Sequence, residues 1–218
     1  MRVVNLFMKN IMDKIVCFGK NYLDHMSELG DNPVDKPVIF LKPASVLKQC
    51  TSWGGTVDAS LTDSETHYEC EIALQLSHGG YKMTTSEVTS AIAAYTIGLD
   101  MTLRAEQSIL KANGHPWTTS KVFPDACIIG PWIKVNNIDD FMNLEFQFTL
   151  DNILKQKSVG RNMVFDPVKL IEYASQFFPL CAGDILFTGT PAGVGAVHNN
   201  SIGVLKIAEH EYSVQWKK

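Results

Sequence analysis

Glu69 and Glu71 stand two residues apart in a largely apolar run, and in an extended strand that spacing puts both carboxylates on one face. Two carboxylates so close repel each other and call for a counter-charge. Asp100, which closes a later apolar run, can supply a third. An all-oxygen set favours hard cations such as Mg²⁺, Mn²⁺ or Ca²⁺ over zinc. His67 falls on the same face, as a nitrogen ligand or as a polar group supporting the others.

Other residues offer acid–base and anion chemistry. His25 and Glu28 lie three apart in a short helical pattern, so the carboxylate can orient the imidazole and raise its basicity, as a general base requires. Lys121, in the turn-like stretch Pro116–Pro124, can stabilise an oxyanion. Arg104 and Gln107, on one side of a helix that follows Asp100, can clamp a carboxylate. The glycine-rich run Thr188–Gly195 can present backbone N–H groups to an anion, although it lacks the Gly-Lys-Ser/Thr of a phosphate loop. His67-Tyr68-Glu69 has the His-x-Glu of zinc deaminases, but their Pro-Cys-x-x-Cys partner is missing.

The elements that must position these groups are mostly strands. Apolar strands are expected at Ile15–Phe18, Val38–Leu41 and Ile185–Phe187, and one alternating strand at His67–Leu76, acidic on one face and apolar on the other. Helices are expected over Asn21–Leu29, from the Thr84/Glu87 capping box to about Ala94, over Leu103–Lys111, and from Asp166-Pro167 to Phe178. Asp151-Asn152 should turn Leu144–Leu150 into a hairpin. Long strands with inserted helices, rather than regular βαβ alternation, give a β-rich α+β domain.

The chain has 218 residues, a net charge of −4 and 19% charged residues, values of one ordinary folded domain. No basic cluster suits nucleic acid, and no apolar run approaches the ~20 residues of a membrane helix. Five scattered cysteines without Cys-x-x-Cys suggest neither a disulfide framework nor a zinc knuckle, and fit a reducing cytoplasm. Residues 1–13 read as an N-terminal extension and 14–218 as a single catalytic domain.

In order, Gly19-Lys20-Asn21-Tyr22-x-x-His25-x-x-Glu28, Pro37–Pro43, Glu69-x-Glu71, Leu99-Asp100-Met101-Thr102-x-Arg104-x-x-Gln107, Pro116-Trp117-Thr118-x-x-Lys121-x-Phe123 and Gly183–Gly195 resemble the fumarylacetoacetate hydrolase family, in its short, single-domain acylpyruvase-like branch. The ordered set is far more specific than any one member. The resemblance implies a mixed β-sandwich roll, a homodimer, and Mg²⁺ (or Mn²⁺) held by Glu69, Glu71 and Asp100. It further implies a His25–Glu28 base pair on a lid helix and substrate contacts from Lys121, Arg104, Gln107 and Thr190. The segment 152–163 keeps Gln156 and Met163 but carries Lys155 and Arg161-Asn162, a departure that bears on substrate contacts.

The expected reaction is metal-dependent hydrolysis of a carbon–carbon bond in a 2,4-dioxo acid, an acylpyruvate or fumarylpyruvate, releasing pyruvate and a carboxylic acid. The same enolate chemistry admits oxaloacetate decarboxylation or oxaloacetate keto–enol interconversion as the alternative. A non-catalytic, metal-stabilised binding domain would keep the carboxylates but has no use for His25, Glu28 and Lys121.

Overall fold

The computed structural model describes residues 12–30 and 32–218. Most of the extension expected over 1–13 lies outside them.

Two sheets face each other. The larger runs, in spatial order, through Val38–Pro43, Lys14–Gly19, Ile185–Phe187, Cys70–Leu76, Ile92–Asp100, Cys127–Ile129 and Leu47–Gln49, with Ile133–Lys134 paired to Ile92–Asp100. It is mixed: Lys14–Gly19 pairs parallel with Ile185–Phe187 and antiparallel with Val38–Pro43. The second sheet orders Ile153–Val159, Glu145–Leu150, Ile202–Ile207, His210–Lys217 and Thr56–Ser60. A small third sheet joins Gly195–Ala196, Thr66–Tyr68 and Thr102–Leu103. This is the β-rich α+β sandwich roll expected from the sequence.

Alternation along each strand explains the layers. Val16, Phe18, Ile72, Leu74, Ile97 and Leu99 share one core with Phe146, Phe148, Leu205, Tyr212, Val214 and Trp216 of the second sheet. Ile15, Cys17, Ala73, Cys127, Ile129 and Phe187 project to the opposite side of the larger sheet and form a second core. The larger sheet is therefore buried on both faces, and polar residues on its strands end up in the interior.

Among the described residues six short α-helices complete the fold: α1 (Leu23–Glu28), α2 (Thr85–Ala91), α3 (Arg104–Ala112), α4 (Thr118–Lys121), α5 (Ile138–Met142) and α6 (Pro167–Ser175). The Thr84–Glu87 capping box is present in both directions. Asp166 caps α6 by accepting from Lys169 N–H at 3.0 Å. Asp151 and Asn152 both adopt positive φ, 50° and 63°, the geometry of a two-residue hairpin turn.

Several boundaries differ from expectation. The strand expected over His67–Leu76 breaks at Glu69 into Thr66–Tyr68 and Cys70–Leu76, which belong to different sheets. Helix α2 stops at Ala91 because Ile92 already pairs with Leu76. Helix α1 starts at Leu23, since Asn21 is held as a clamp: it donates to Phe165 O and Thr188 O at 3.0 and 2.7 Å and accepts from Phe165 N–H at 2.8 Å. The stretch around Lys121 is helical, as α4, rather than a turn, and α6 ends at Ser175. No helix among the described residues is long and apolar enough to cross a membrane. All five cysteines are unbridged thiols.

Candidate metal centre and active site

Glu69, in the break between the two sheets, Glu71, on Cys70–Leu76, and Asp100, at the end of the neighbouring strand, each place a carboxylate oxygen within 4.8 Å of the others. The break at Glu69 is tied by Asp100 N–H donating to Glu69 O at 2.9 Å and Cys70 N–H donating to the Gln156 side chain at 2.9 Å. The acidic face is thus buried. All three carboxylates are under 7% exposed, and a charge so deep needs partners.

Cations supply most of them. Lys121 Nζ donates to Glu69 Oε2, Asp100 Oδ2 and Thr102 Oγ1, each at 2.7 Å. Arg104 Nη2 pairs with Glu69 Oε1, and Nη1 donates to Gln107 at 2.6 Å. Lys42, fully buried, lies 2.5 Å from Asp100 Oδ1 and donates to Met101 O and Ala126 O. The Lys42–Asp100 contact is an ion pair without hydrogen-bond alignment, so Asp100 Oδ1 has no hydrogen bond among the described residues.

Glu71 is the exception. Its side chain accepts a hydrogen bond from Gly189 N–H at 2.5 Å but forms no ion pair among the described residues. Burial, then the charges of Asp100 and Glu69, push its carboxyl well above the ordinary range. Burial acts on Glu69 in the same direction, yet Lys121 and Arg104 outweigh it and hold that carboxyl well below the ordinary range. For Lys121, burial favours the neutral amine, but Asp100 and Glu69 dominate and keep it protonated above its usual range. Three oxygen ligands, one of them lacking a cation and another with an unaligned oxygen, fit a hard divalent ion.

The glycine-rich run does present N–H groups to anions, and the anions are the protein's own: Gly189 serves Glu71, and Gly193 N–H donates to Glu28 Oε1 at 3.0 Å. Both glycines need positive φ, 99° and 101°. A Cβ at Gly193 would come 2.0 Å from Lys155 O, which leaves no room for any other residue. Thr190 is fixed between these contacts, its hydroxyl donating to Cys70 O at 2.9 Å and accepting from Gln156 Nε2 at 2.8 Å.

Helix α1 covers the cluster. His25 Nδ1 lies 3.1 Å from Glu28 Oε2, and His25 and Met26 are buried beneath the helix. The cavity beneath it is small, about 30 Å³, and is bounded by His25, Glu69, Glu71, Asp100, Arg104, Gln107, Lys121 and Thr190 together with Lys20, Lys111, Phe40 and Trp117. Of the catalytic, substrate-binding and metal residues expected from the resemblance, all but Glu28 therefore line one space, and Glu28 reaches it through His25. His67 does not; it pairs instead with Glu65 at 2.8 Å. A second, more open cavity of about 400 Å³ adjoins the first, sharing Phe40, Trp117 and Lys121 and adding Val38, His115 and Pro116.

Sequence reasoning gave no role to Lys42, Gln156, Lys20 or Lys111. A lysine inside the apolar run Val38–Leu41 and its following proline was the available signal for Lys42.

Residues 14–215 match the fumarylacetoacetate (FAA) hydrolase C-terminal family. The chain belongs to the fumarylacetoacetate hydrolase family. It is 39% identical over 185 residues to the mitochondrial oxaloacetate decarboxylase of Dictyostelium discoideum, covering 84% of each chain. With the mitochondrial oxaloacetate tautomerase FAHD1 of Arabidopsis thaliana it shares 35% identity over 208 residues, 93% of this chain and 91% of the relative. Among solved structures, it superposes on the fumarylpyruvate hydrolase of Pseudomonas aeruginosa in complex with Mn²⁺ and pyruvate, with a TM-score of 0.89 and 28% identity, covering 99% and 94% of the two chains. The protein is thus an enzyme of this family.

Proposed function

We propose that this member of the family is a divalent-metal-dependent enzyme acting on oxaloacetate, interconverting its enol and keto forms within the single catalytic domain 14–218. The observation that carries the proposal is that His25, oriented by Glu28, lines the same small cavity as the Glu69–Glu71–Asp100 cluster, where it can carry a proton. The names of the two relatives above support oxaloacetate over the acylpyruvate hydrolysis that the sequence put first.

Glu69, Glu71 and Asp100 would hold Mg²⁺ or Mn²⁺, which supplies a fixed positive charge drawing electrons toward the oxygens of a 2-oxo acid. The chain's own groups do the rest. With Glu28 accepting from Nδ1–H, His25 Nε2 takes the proton of the enol hydroxyl and returns it to C3, forming the keto acid. Glu28 stabilises the imidazolium between the two transfers. Lys121, protonated and aimed at the cluster, stabilises negative charge on the substrate's C2 oxygen. Arg104, Gln107 and Thr190 orient the carboxylate next to that oxygen. A 30 Å³ cavity holds a few waters, so α1 must lift to admit substrate and close to exclude water.

The adjoining cavity beside Lys121, walled by Phe40 and Trp117, supports a second reading. An acyl group lodged there would suit 2,4-dioxo acid hydrolysis, with His25 deprotonating the attacking water. The exposed Leu41 and Phe177, beside Val38–Pro43 at the edge of the larger sheet among the described residues, support a homodimer, which sedimentation would test. To separate the reactions, purified protein with Mg²⁺ is given oxaloacetate and acetylpyruvate: accelerated enol loss without carbon dioxide supports the tautomerase, and release of pyruvate with acetate supports the hydrolase.

A further inference from the structure

Arg104, Gln107 and Lys111 fall at positions i, i+3 and i+7 of α3, so they share one face of the helix, and all three line the cavity at the carboxylate cluster. They form a graded series. Arg104 touches Glu69 at the carboxylate cluster, Gln107 is bonded to Arg104, and Lys111 stands about 10 Å further along the helix axis. Helical side chains lean toward the N-terminus, so the Lys111 chain reaches back over Gln107. Lys20 enters the same cavity from the end of the Lys14–Gly19 strand. It holds φ at 59°, a left-handed conformation that disfavours a side chain of this size.

We infer that Lys20 and Lys111 form a receptor for the distal, C4 carboxylate of the substrate, which selects dicarboxylic oxo acids and suppresses their decarboxylation. The inference rests on the oxaloacetate reading above. A substrate whose C1 carboxylate and C2 oxygen lie at the cluster must send C4 away from it, toward the remaining cavity wall, to which these two lysines contribute. The suppression follows from charge. In decarboxylation the C3–C4 bond breaks, its electron pair becomes part of the C2–C3 enolate, and C4 leaves as neutral carbon dioxide. Cations beside C4 stabilise the ground-state carboxylate more than the transition state in which that charge is departing, so they raise this barrier. Tautomerisation leaves the C4 charge in place and is not opposed.

The test uses the Mg²⁺-loaded protein and the variants Lys20→Met, Lys111→Met and the double variant. Enol loss and carbon dioxide release from oxaloacetate are followed together, and enol loss is also followed for its 4-methyl ester. The double variant should raise KM for oxaloacetate about tenfold or more, the scale of a lost charged hydrogen bond, and increase the share of turnovers that release carbon dioxide. Its kinetics with the ester should stay within about twofold of the parent. Equal effects on acid and ester, or an unchanged product ratio, would overturn the inference. Binding of 2-oxoglutarate and 2-oxopentanoate is measured by calorimetry, because neither compound carries a β-carboxylate or a 4-oxo group and neither is consumed. Preference for 2-oxoglutarate that disappears in the double variant supports the receptor even if oxaloacetate is not turned over, an outcome that would remove the oxaloacetate reading alone. No preference in the parent protein removes the receptor.

Discussion

Glu28 holds two partners at once: its Oε1 accepts from the backbone N–H of Gly193 at 3.0 Å, while Oε2 lies 3.1 Å from His25 Nδ1. One carboxylate therefore ties α1 to the glycine-rich run and holds the imidazole. In the proposed mechanism, closure of α1 and assembly of the proton carrier are then the same event, since the residue that latches the helix is the one that fixes the imidazole.

Substitutions at this pair should separate the two roles. His25→Ala should lower kcat about 10²–10⁴-fold, the usual range for a positioned acid–base group, with the melting temperature nearly unchanged. Glu28→Gln keeps an acceptor for Gly193 but loses the charge that supports the imidazolium, so kcat should fall while KM moves little. Steady-state kinetics of both variants check this; wild-type kcat in either contradicts the assigned base.

Metal should stabilise the protein through the carboxylate cluster. Three buried acids within 4.8 Å repel one another, and a ligand that binds only the folded state adds about 2.7 kcal/mol at 100 times its dissociation constant. Mg²⁺ or Mn²⁺ should raise the melting temperature of the parent and leave that of Asp100→Asn almost unmoved, with EDTA reversing the rise. Equal shifts in both proteins would place the ion elsewhere.

Lys42 is expected to act on stability before activity. Its ammonium, fully buried, pairs with Asp100 and is bonded to two carbonyls. Lys42→Met keeps most of the volume but strands half of a buried pair, a change worth about 3 kcal/mol or more when one partner is removed. Urea unfolding should show that loss in metal-free protein, and added Mg²⁺ should recover part of it by restoring positive charge beside Asp100. Unfolding curves that coincide with the parent's would contradict the account.

Asp166 gives a pH-dependent contribution whose sign is set by its cap. Partial burial alone would raise its pKa, but the Lys169 N–H and ammonium outweigh it and lower the carboxyl below its ordinary value. The folded state then binds this proton less readily than the unfolded state. The stabilisation is present above the ordinary carboxylate pKa of about 4 and is lost as pH falls through the folded value. Asp166→Asn retains a capping acceptor without the charge, so its melting temperature should fall less steeply below about pH 4, whereas Asp166→Ala should lose about 1 kcal/mol at neutral pH. Parallel acid limbs for the parent and Asp166→Asn would contradict the assignment.

The chemistry was more legible in the sequence than the backbone that carries it. Glu69-x-Glu71, Asp100, Arg104, Lys121 and the His25–Glu28 pair all reach one site, because residue type and spacing report directly on what a group can bind. The break at Glu69 was hidden: polar and apolar residues keep alternating through it, and the interruption comes from Asp100 and Gln156, which lie far along the chain. Lys42 was hidden for the same reason. Its carbonyl partners, Met101 and Ala126, are 59 and 84 residues away, and its place between an apolar run and a proline is a weak local sign against the edge-strand surface lysine it resembles. Helix α2 ended three residues early because sheet pairing at Ile92 overrides a local pattern that would otherwise continue.

The central claim is that His25 moves a proton on oxaloacetate within a metal-dependent site. Its most direct test is the rate of enol-oxaloacetate loss with Mg²⁺, with EDTA, and in His25→Ala, with carbon dioxide and pyruvate measured in the same samples. The account predicts rapid, EDTA-sensitive and His25-dependent enol loss with little carbon dioxide. Enol loss equal to the uncatalysed rate in all three samples, alongside efficient cleavage of acetylpyruvate by the parent protein, would contradict it.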